Sequence, residues 1–276
     1  MQSWIQQFEI LLAGSKMEVP EYEILLKMVE DRTMLSYWAK EPSQDFERII
    51  HPWSRAVSRL GTKPSREDIF ATADEALANF STLSDAAFRG ILNLSYSVES
   101  HRNRIRYVLA RVNQSFQKPF EVNLRPLREY MQTSTLTEYG YDLDHIFPKS
   151  QGQRAAWVPS KVKDEKFGSE DRSEKIINSI GNLVLLYNIP NAQQGDALPW
   201  EEEKLKNLGS GQLYANSVLT EKEYWPNYKL AATKLAEAQQ KFKPEAHSWT
   251  EDSVDRRAEF YWSVLLSQIK ENFNLL

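Results

Sequence analysis

At 276 residues, with 41% hydrophobic and 26% charged side chains, the chain suits one large domain or two modest ones and excludes general disorder or a fibrous fold. It contains no cysteine, which excludes disulfides, cysteine-ligated zinc, iron–sulfur clusters and a thiol nucleophile together. A formal net charge of -4 excludes a protein that coats nucleic acid by bulk attraction, while an enzyme touching a few phosphates needs only a local basic patch.

The opening residues, Met1 to Gln7, lack the basic and unbroken apolar regions of a secretory signal. No stretch approaches the roughly 20 apolar residues of a membrane span, so no membrane partner and a cytoplasmic location are expected. From Trp4 to about Tyr130, apolar residues recur at three- and four-residue spacings, beginning with Trp4, Ile5, Phe8, Leu11 and Leu12. This predicts a helical N-terminal lobe over 1–130, built from four to six helices. Ser65 reads as an N-cap with Asp68 three residues on, close to a capping box, and a further helix is expected to begin after Ser84. Arg102, Arg104, Arg106 and Arg111 surround Ile105, Tyr107, Val108 and Leu109, giving a helix with an apolar side and a basic one. A solvated face paired with nearby acids is the commoner reading of that pattern, ahead of a nucleic-acid contact.

The character changes between Glu138 and Tyr187. Tyr139 to Ile146 alternates like a short strand, and Leu183-Val184-Leu185-Leu186-Tyr187 is an apolar run of strand length. A long polar loop separates the two, and loops of that length are usually functional or disordered. It carries Lys149, Arg154, Lys161, Lys163 and Lys166, with only Asp164 and Glu165 as acids among them. Helix resumes near Trp200 to Leu205, giving strand, loop, strand, short helix. The remainder reads as helix from Glu221 to Phe242 and from Thr250 to about Phe273, with Thr250 as N-cap and Glu251 and Asp252 suited to the helix dipole. The predicted fold class is mainly α with a small α+β insert, helical lobes enclosing a mixed core over about 138–206.

Of the four histidines, His51, His101, His145 and His247, only His145 has informative neighbours. Asp144 precedes it and Ile146-Phe147-Pro148 follows, so a strand end carries a carboxylate and an imidazole just before a proline-fixed turn. Adjacent strand residues point to opposite faces, which lets one hold a metal while the other meets substrate once the backbone bends.

Asp144-His145-Ile146-Phe147-Pro148-Lys149-Ser150, then Ser179-Ile180-Gly181-Asn182-Leu183-Val184-Leu185-Leu186 and Asn191, resembles the His-Asn-His nuclease domain of modification-dependent restriction enzymes. This is the DUF1524 family, often found with the ParB-like DUF262 domain. Trp249 to Arg257 resembles that family's closing helix, and the likeness covers roughly residues 100 to 270. The resemblance implies a ββα-metal core inside a nuclease domain over 131–276. It implies His145 as general base, Asp144 and Asn191 as ligands of one Mg²⁺ or Mn²⁺, and Asn182 fixing the loop and orienting His145 within the catalytic set. An imidazole with a pKa near about 6.5 accepts a proton at neutral pH, and a hard cation takes oxygen ligands with water and phosphate completing its shell. Lys149 is a further candidate for binding substrate phosphate. Each has a plainer reading: Gly-Asn before an apolar run is a common turn into a strand, Asn191 after Pro190 suits a helix cap, and Lys149 suits a flexible surface lysine.

Two departures qualify the resemblance. Gln194 stands where many relatives carry a lysine, and the chain has neither a ParB-like segment nor a phosphate-binding loop. Recognition and nucleotide hydrolysis are therefore expected from a separate ATPase or sensor protein, which the helical N-terminal lobe would bind. The function implied is a metal-dependent endonuclease, DNA favoured over RNA, serving as the nuclease subunit of a bacterial antiphage defence or modification-dependent restriction system. The competing readings are a non-catalytic helical assembly subunit, against which intact Asp144, His145, Asn182 and Asn191 count, and a nucleic-acid-binding adaptor, which the acidic charge disfavours.

Overall fold

The apolar spacing of the first ninety residues folds into α1 (Gln7–Ala13), α2 (Val19–Ala39), α3 (Ser43–Ser58), α4 (Arg66–Ala71) and α5 (Phe80–Leu92). The computed structural model describes residues 7–118, 126–132, 140–150, 166–167, 170–187, 197–199, 201–209, 213–220, 233, 235–240 and 249–275. Two compact units result: Met1–Leu92 with Leu266–Leu276, and Asn93–Leu265.

In the first unit, the Ser65–Asp68 capping box forms in full. The Asp68 amide donates to Ser65 Oγ at 3.1 Å and the Ser65 amide to Asp68 Oδ2 at 3.1 Å. Helix α5 starts at Phe80, five residues earlier than the Ser84 signal predicts. Ser84 lies inside it and its hydroxyl donates back to the Ser81 carbonyl at 2.9 Å, so the serine spends its hydrogen bond on the preceding turn instead of capping. A Cβ at Gly90 would overlap the carbonyl oxygen of Trp38, so glycine sets how closely α5 approaches α2. Arg32, 2% exposed, ties α2 to its own exit: Nη1 and Nη2 reach Glu41 at 2.9 and 3.0 Å, and Nε donates to the Ala76 carbonyl at 3.0 Å.

The second unit contains α6 (Glu99–Gln117), α7 (Leu127–Met131), β1 (Tyr141–His145), β2 (Lys166–Phe167), β3 (Glu170–Asp171), α8 (Arg172–Ile177), β4 (Leu183–Tyr187), α9 (Glu202–Gly209) and α10 (Tyr214–Ser217). Helix α11 (Glu251–Asn272) supplies it with residues up to Leu265. The unit division falls after Leu92, and α6, which packs against α7 and β4, belongs with the second unit. Part of the expected polar loop is thus ordered as β2, β3 and α8, where Ile177 is fully buried and anchors the short helix.

Strand β1 pairs antiparallel with β4, from Tyr141 opposite Tyr187 to His145 opposite Leu183. Leu183 to Leu186 are all buried, so β4 is covered on both faces. A two-stranded ribbon leaves backbone groups along its outer edges, and buried ones need partners. Three helices supply them: Asn216 Nδ2 donates to the Leu185 carbonyl at 2.7 Å, the Tyr261 hydroxyl to the Leu183 carbonyl at 2.7 Å, and Arg106 Nη1 to the Tyr141 carbonyl. Arg106 and Arg111 are accordingly buried, and the side of α6 that reads as a solvated basic face is partly interior. Ile146, Phe147, Val184, Leu208, Leu219, Trp249 and Val254 form a core beside the strand ends. At the start of α11, the Ser253 amide meets Thr250 Oγ1 at 3.4 Å and the Thr250 amide meets Ser253 Oγ at 3.1 Å, so Thr250 caps this helix as its position suggests. No helix among the described residues is long and apolar enough to cross a membrane.

Candidate active site

Strand β1 ends at His145 and the chain turns at once through Ile146 and Phe147, both fully buried. Asn182, also with no exposed surface, clasps that turn. Its Oδ1 accepts the Phe147 amide at 2.9 Å, its Nδ2 donates to the Phe147 carbonyl at 3.1 Å and to the Ile177 carbonyl at 2.9 Å, and its backbone carbonyl accepts the Ile146 amide at 2.8 Å. The Trp249 indole donates to the same Oδ1 at 2.9 Å. Gly181 is required beside it, since a Cβ there would overlap the carbonyl oxygen of Val254 in α11. The amide of Asn182 thus holds a β1 turn, the end of α8 and the approach to α11 in one place.

His145 is half-buried against Tyr96, whose ring meets the imidazole edge-on at a centroid distance of 4.8 Å. The Arg102 guanidinium lies 4.7 Å from the Tyr96 ring centroid and its Nε donates to the Tyr96 carbonyl at 3.1 Å, steadying this wall. The Tyr96 amide in turn donates to the Asn178 carbonyl at 2.8 Å. Asn178 Nδ2 donates to the Glu174 carbonyl at 2.8 Å, which turns Oδ1 toward His145 Nε2 at 3.4 Å. An amide oxygen only accepts, so the imidazole carries its proton on Nε2 and leaves Nδ1 with a free lone pair. Burial lowers the His145 pKa to about 4; the Asp144 charge and the Asn178 hydrogen bond oppose this shift, and the charges of Lys149 and Lys204 add to it. The imidazole is therefore neutral near pH 7 and able to take a proton.

Asp144 faces the other way from His145, as strand alternation requires. Its Oδ2 is ion-paired with Lys204 Nζ, and the same ammonium donates to the His145 carbonyl at 2.9 Å. Lys204 lies on α9 and is 1% exposed.

Among the residues singled out from the sequence, Asp144 and His145 stand at one strand end, Lys149 is exposed four residues on, and Asn182 is enclosed behind the turn. The hydrogen bond to His145 comes from Asn178, not Asn182. Asn191 and Gln194 lie outside the described residues, as do Arg154, Lys161 and Lys163 of the basic stretch. Asn178, Lys204 and Tyr96 escape sequence reasoning. Asn178 sits only four residues before Asn182, a helical spacing that offers a weak signal. Lys204 follows three glutamates and reads as a solvated helix charge. Residues 84–263 match a family described as GmrSD restriction endonucleases, C-terminal domain. Comparison with curated proteins finds no match.

Proposed function

The chain belongs to the GmrSD restriction endonuclease C-terminal domain family, a nuclease domain of restriction systems, and from that premise we propose that it is a metal-dependent endonuclease hydrolysing phosphodiester bonds of DNA. The observation that carries this reading is the His145 imidazole, kept neutral by burial and oriented through Nε2 by Asn178, one residue from the Asp144 carboxylate.

His145 Nδ1 takes a proton from a water as the water oxygen bonds to phosphorus and the opposite phosphorus–oxygen bond to the sugar breaks. Asn178 keeps the Nε2 proton in place and so sets which nitrogen faces the water. Asn182 holds the turn after β1 and acts through position, since it is wholly enclosed. The Asp144 carboxylate suits a hard cation, Mg²⁺ or Mn²⁺, and among the described residues no cluster of three or more His, Cys, Asp and Glu is present. A hard cation needs only one or two side-chain oxygens beside water and phosphate, and Asn191 is proposed as its second ligand. Such a cation, when bound, neutralises charge on the scissile phosphate and leaving oxygen. Lys149, exposed and close enough to influence His145, is proposed to meet the substrate backbone. The chain is read as the nuclease subunit of a bacterial antiphage or modification-dependent restriction system in the cytoplasm, working with a separate ATPase or sensor.

The test is cleavage of supercoiled plasmid by the purified chain with Mg²⁺ or Mn²⁺, beside EDTA and His145→Ala. Metal-dependent nicking that disappears in a folded His145→Ala protein is the expected result. Equal nicking by His145→Ala would remove His145 as the base.

A further inference from the structure

Glu201, Glu202 and Glu203 at the start of α9 are exposed, and the next residue turns inward. Lys204 delivers its ammonium to the two oxygens that define the end of β1, the Asp144 carboxylate and the His145 carbonyl. An ammonium that is 1% exposed needs a paired carboxylate, and among the described residues Asp144 is the acid that pairs with it. Removing that partner would strand a cation in an enclosed place. Lys204 therefore stays on Asp144 when another cation arrives, and the carboxylate meets a metal with its charge already balanced.

The consequence follows from charge. Asp144 and Lys204 sum to zero, so this strand end offers an arriving cation no net negative charge. A divalent cation is held by negative oxygen ligands, and a fixed positive charge within a few ångströms opposes it. The missing negative charge is present on a phosphodiester. We propose that Lys204 keeps the affinity of the free site for a divalent cation low, so that the cation is retained only together with a nucleic-acid phosphate. The inference rests on Asp144 being a cation ligand. It makes Lys204 a positioning residue that couples metal loading to substrate and leaves the unengaged protein unloaded.

The experiment is a Mn²⁺ titration read by electron paramagnetic resonance on the full chain, with and without a cleavage-resistant phosphorothioate duplex, the signal of duplex alone subtracted. Wild type is expected to bind Mn²⁺ weakly alone and about tenfold or more tighter with the duplex. Lys204→Met is expected to bind Mn²⁺ without duplex about tenfold more tightly than wild type while its cleavage rate falls. Asp144→Asn is expected to lose specific binding in both conditions. A folded Lys204→Met with wild-type duplex-free affinity would overturn the role of Lys204 while leaving the metal reading standing. Unchanged Mn²⁺ binding by Asp144→Asn would overturn the ligand assignment and this inference with it. Should Lys204→Met not fold, Lys204→Gln keeps a donor for both oxygens and serves in its place. If neither folds, equal wild-type affinities with and without duplex overturn the proposal and a duplex-dependent gain supports it.

Discussion

The indole of Trp249 and the amide of Phe147 donate to the same oxygen, Oδ1 of Asn182, each at 2.9 Å, so two segments far apart in sequence converge on one buried acceptor. Replacing Trp249 by Phe removes one of these donors and leaves the other. The expected cost is about 1 kcal/mol, the net worth of a buried neutral hydrogen bond, seen as a lower urea midpoint with an unchanged slope.

Asn182→Asp is expected to be far more damaging. The Asn182 Nδ2 group donates to both the Phe147 and Ile177 carbonyls, and a carboxylate has no proton to give either. Two buried acceptors and an enclosed charge would face each other, for about 3 kcal/mol or more of lost stability. A wild-type unfolding midpoint for this variant would show that the clasp does not hold the turn.

Gly181→Ala should also unfold the second unit more readily. The added methyl would overlap the backbone carbonyl of Val254, which cannot step aside as a flexible side-chain end does. Overpacking of this kind costs about 1–3 kcal/mol. Thermal melts of the variant against wild type check it, and an unchanged midpoint would mean that α11 approaches Gly181 less closely than described.

Asn178→Ala tests the orientation of the base. With the fold kept, the maximal cleavage rate is expected to fall by about tenfold or more, a part of the roughly hundred- to ten-thousandfold that a positioned base contributes. The substrate concentration for half-maximal rate should change little, because Asn178 is buried and touches His145 rather than a ligand. A loss of affinity with an intact maximal rate would contradict this assignment.

The first unit should weaken in acid through Glu41. Burial pushes its carboxyl up, but hydrogen bonds from Arg32 and Ser36 and the Arg32 charge outweigh burial and hold its pKa below the usual carboxylate value. A carboxyl whose folded pKa is depressed contributes stability above its unfolded pKa, about 4.3, and that contribution is lost as pH falls through the folded value. The stability gap between wild type and Glu41→Gln should therefore be widest near pH 7 and close progressively below about pH 4.3. A gap that stays constant across that range would mean that the Arg32 pairing does not act on this carboxyl.

Local signals carried much of the fold. The Ser65 box, the Thr250 cap and the apolar run of β4 sit where the sequence places them, because each depends on residues within a turn or on alternation along one strand. Asp144 and His145 were legible as a pair for the same reason: adjacency and the following proline are sequence facts. The partners that give the pair its chemistry were not. Asn178 reaches His145 from 33 residues away and Lys204 reaches Asp144 from 60, and neither has a local pattern that marks it as interior. A lysine after three glutamates looks solvated until the fold buries it, and an asparagine at the end of a short helix looks like a cap until its carbonyl oxygen meets an imidazole. The sequence by itself determined the residue types and the local elements that present them. The tertiary structure decided which nitrogen of His145 is free and which cation balances Asp144, because desolvation and charge pairing arise only when distant segments exclude water together.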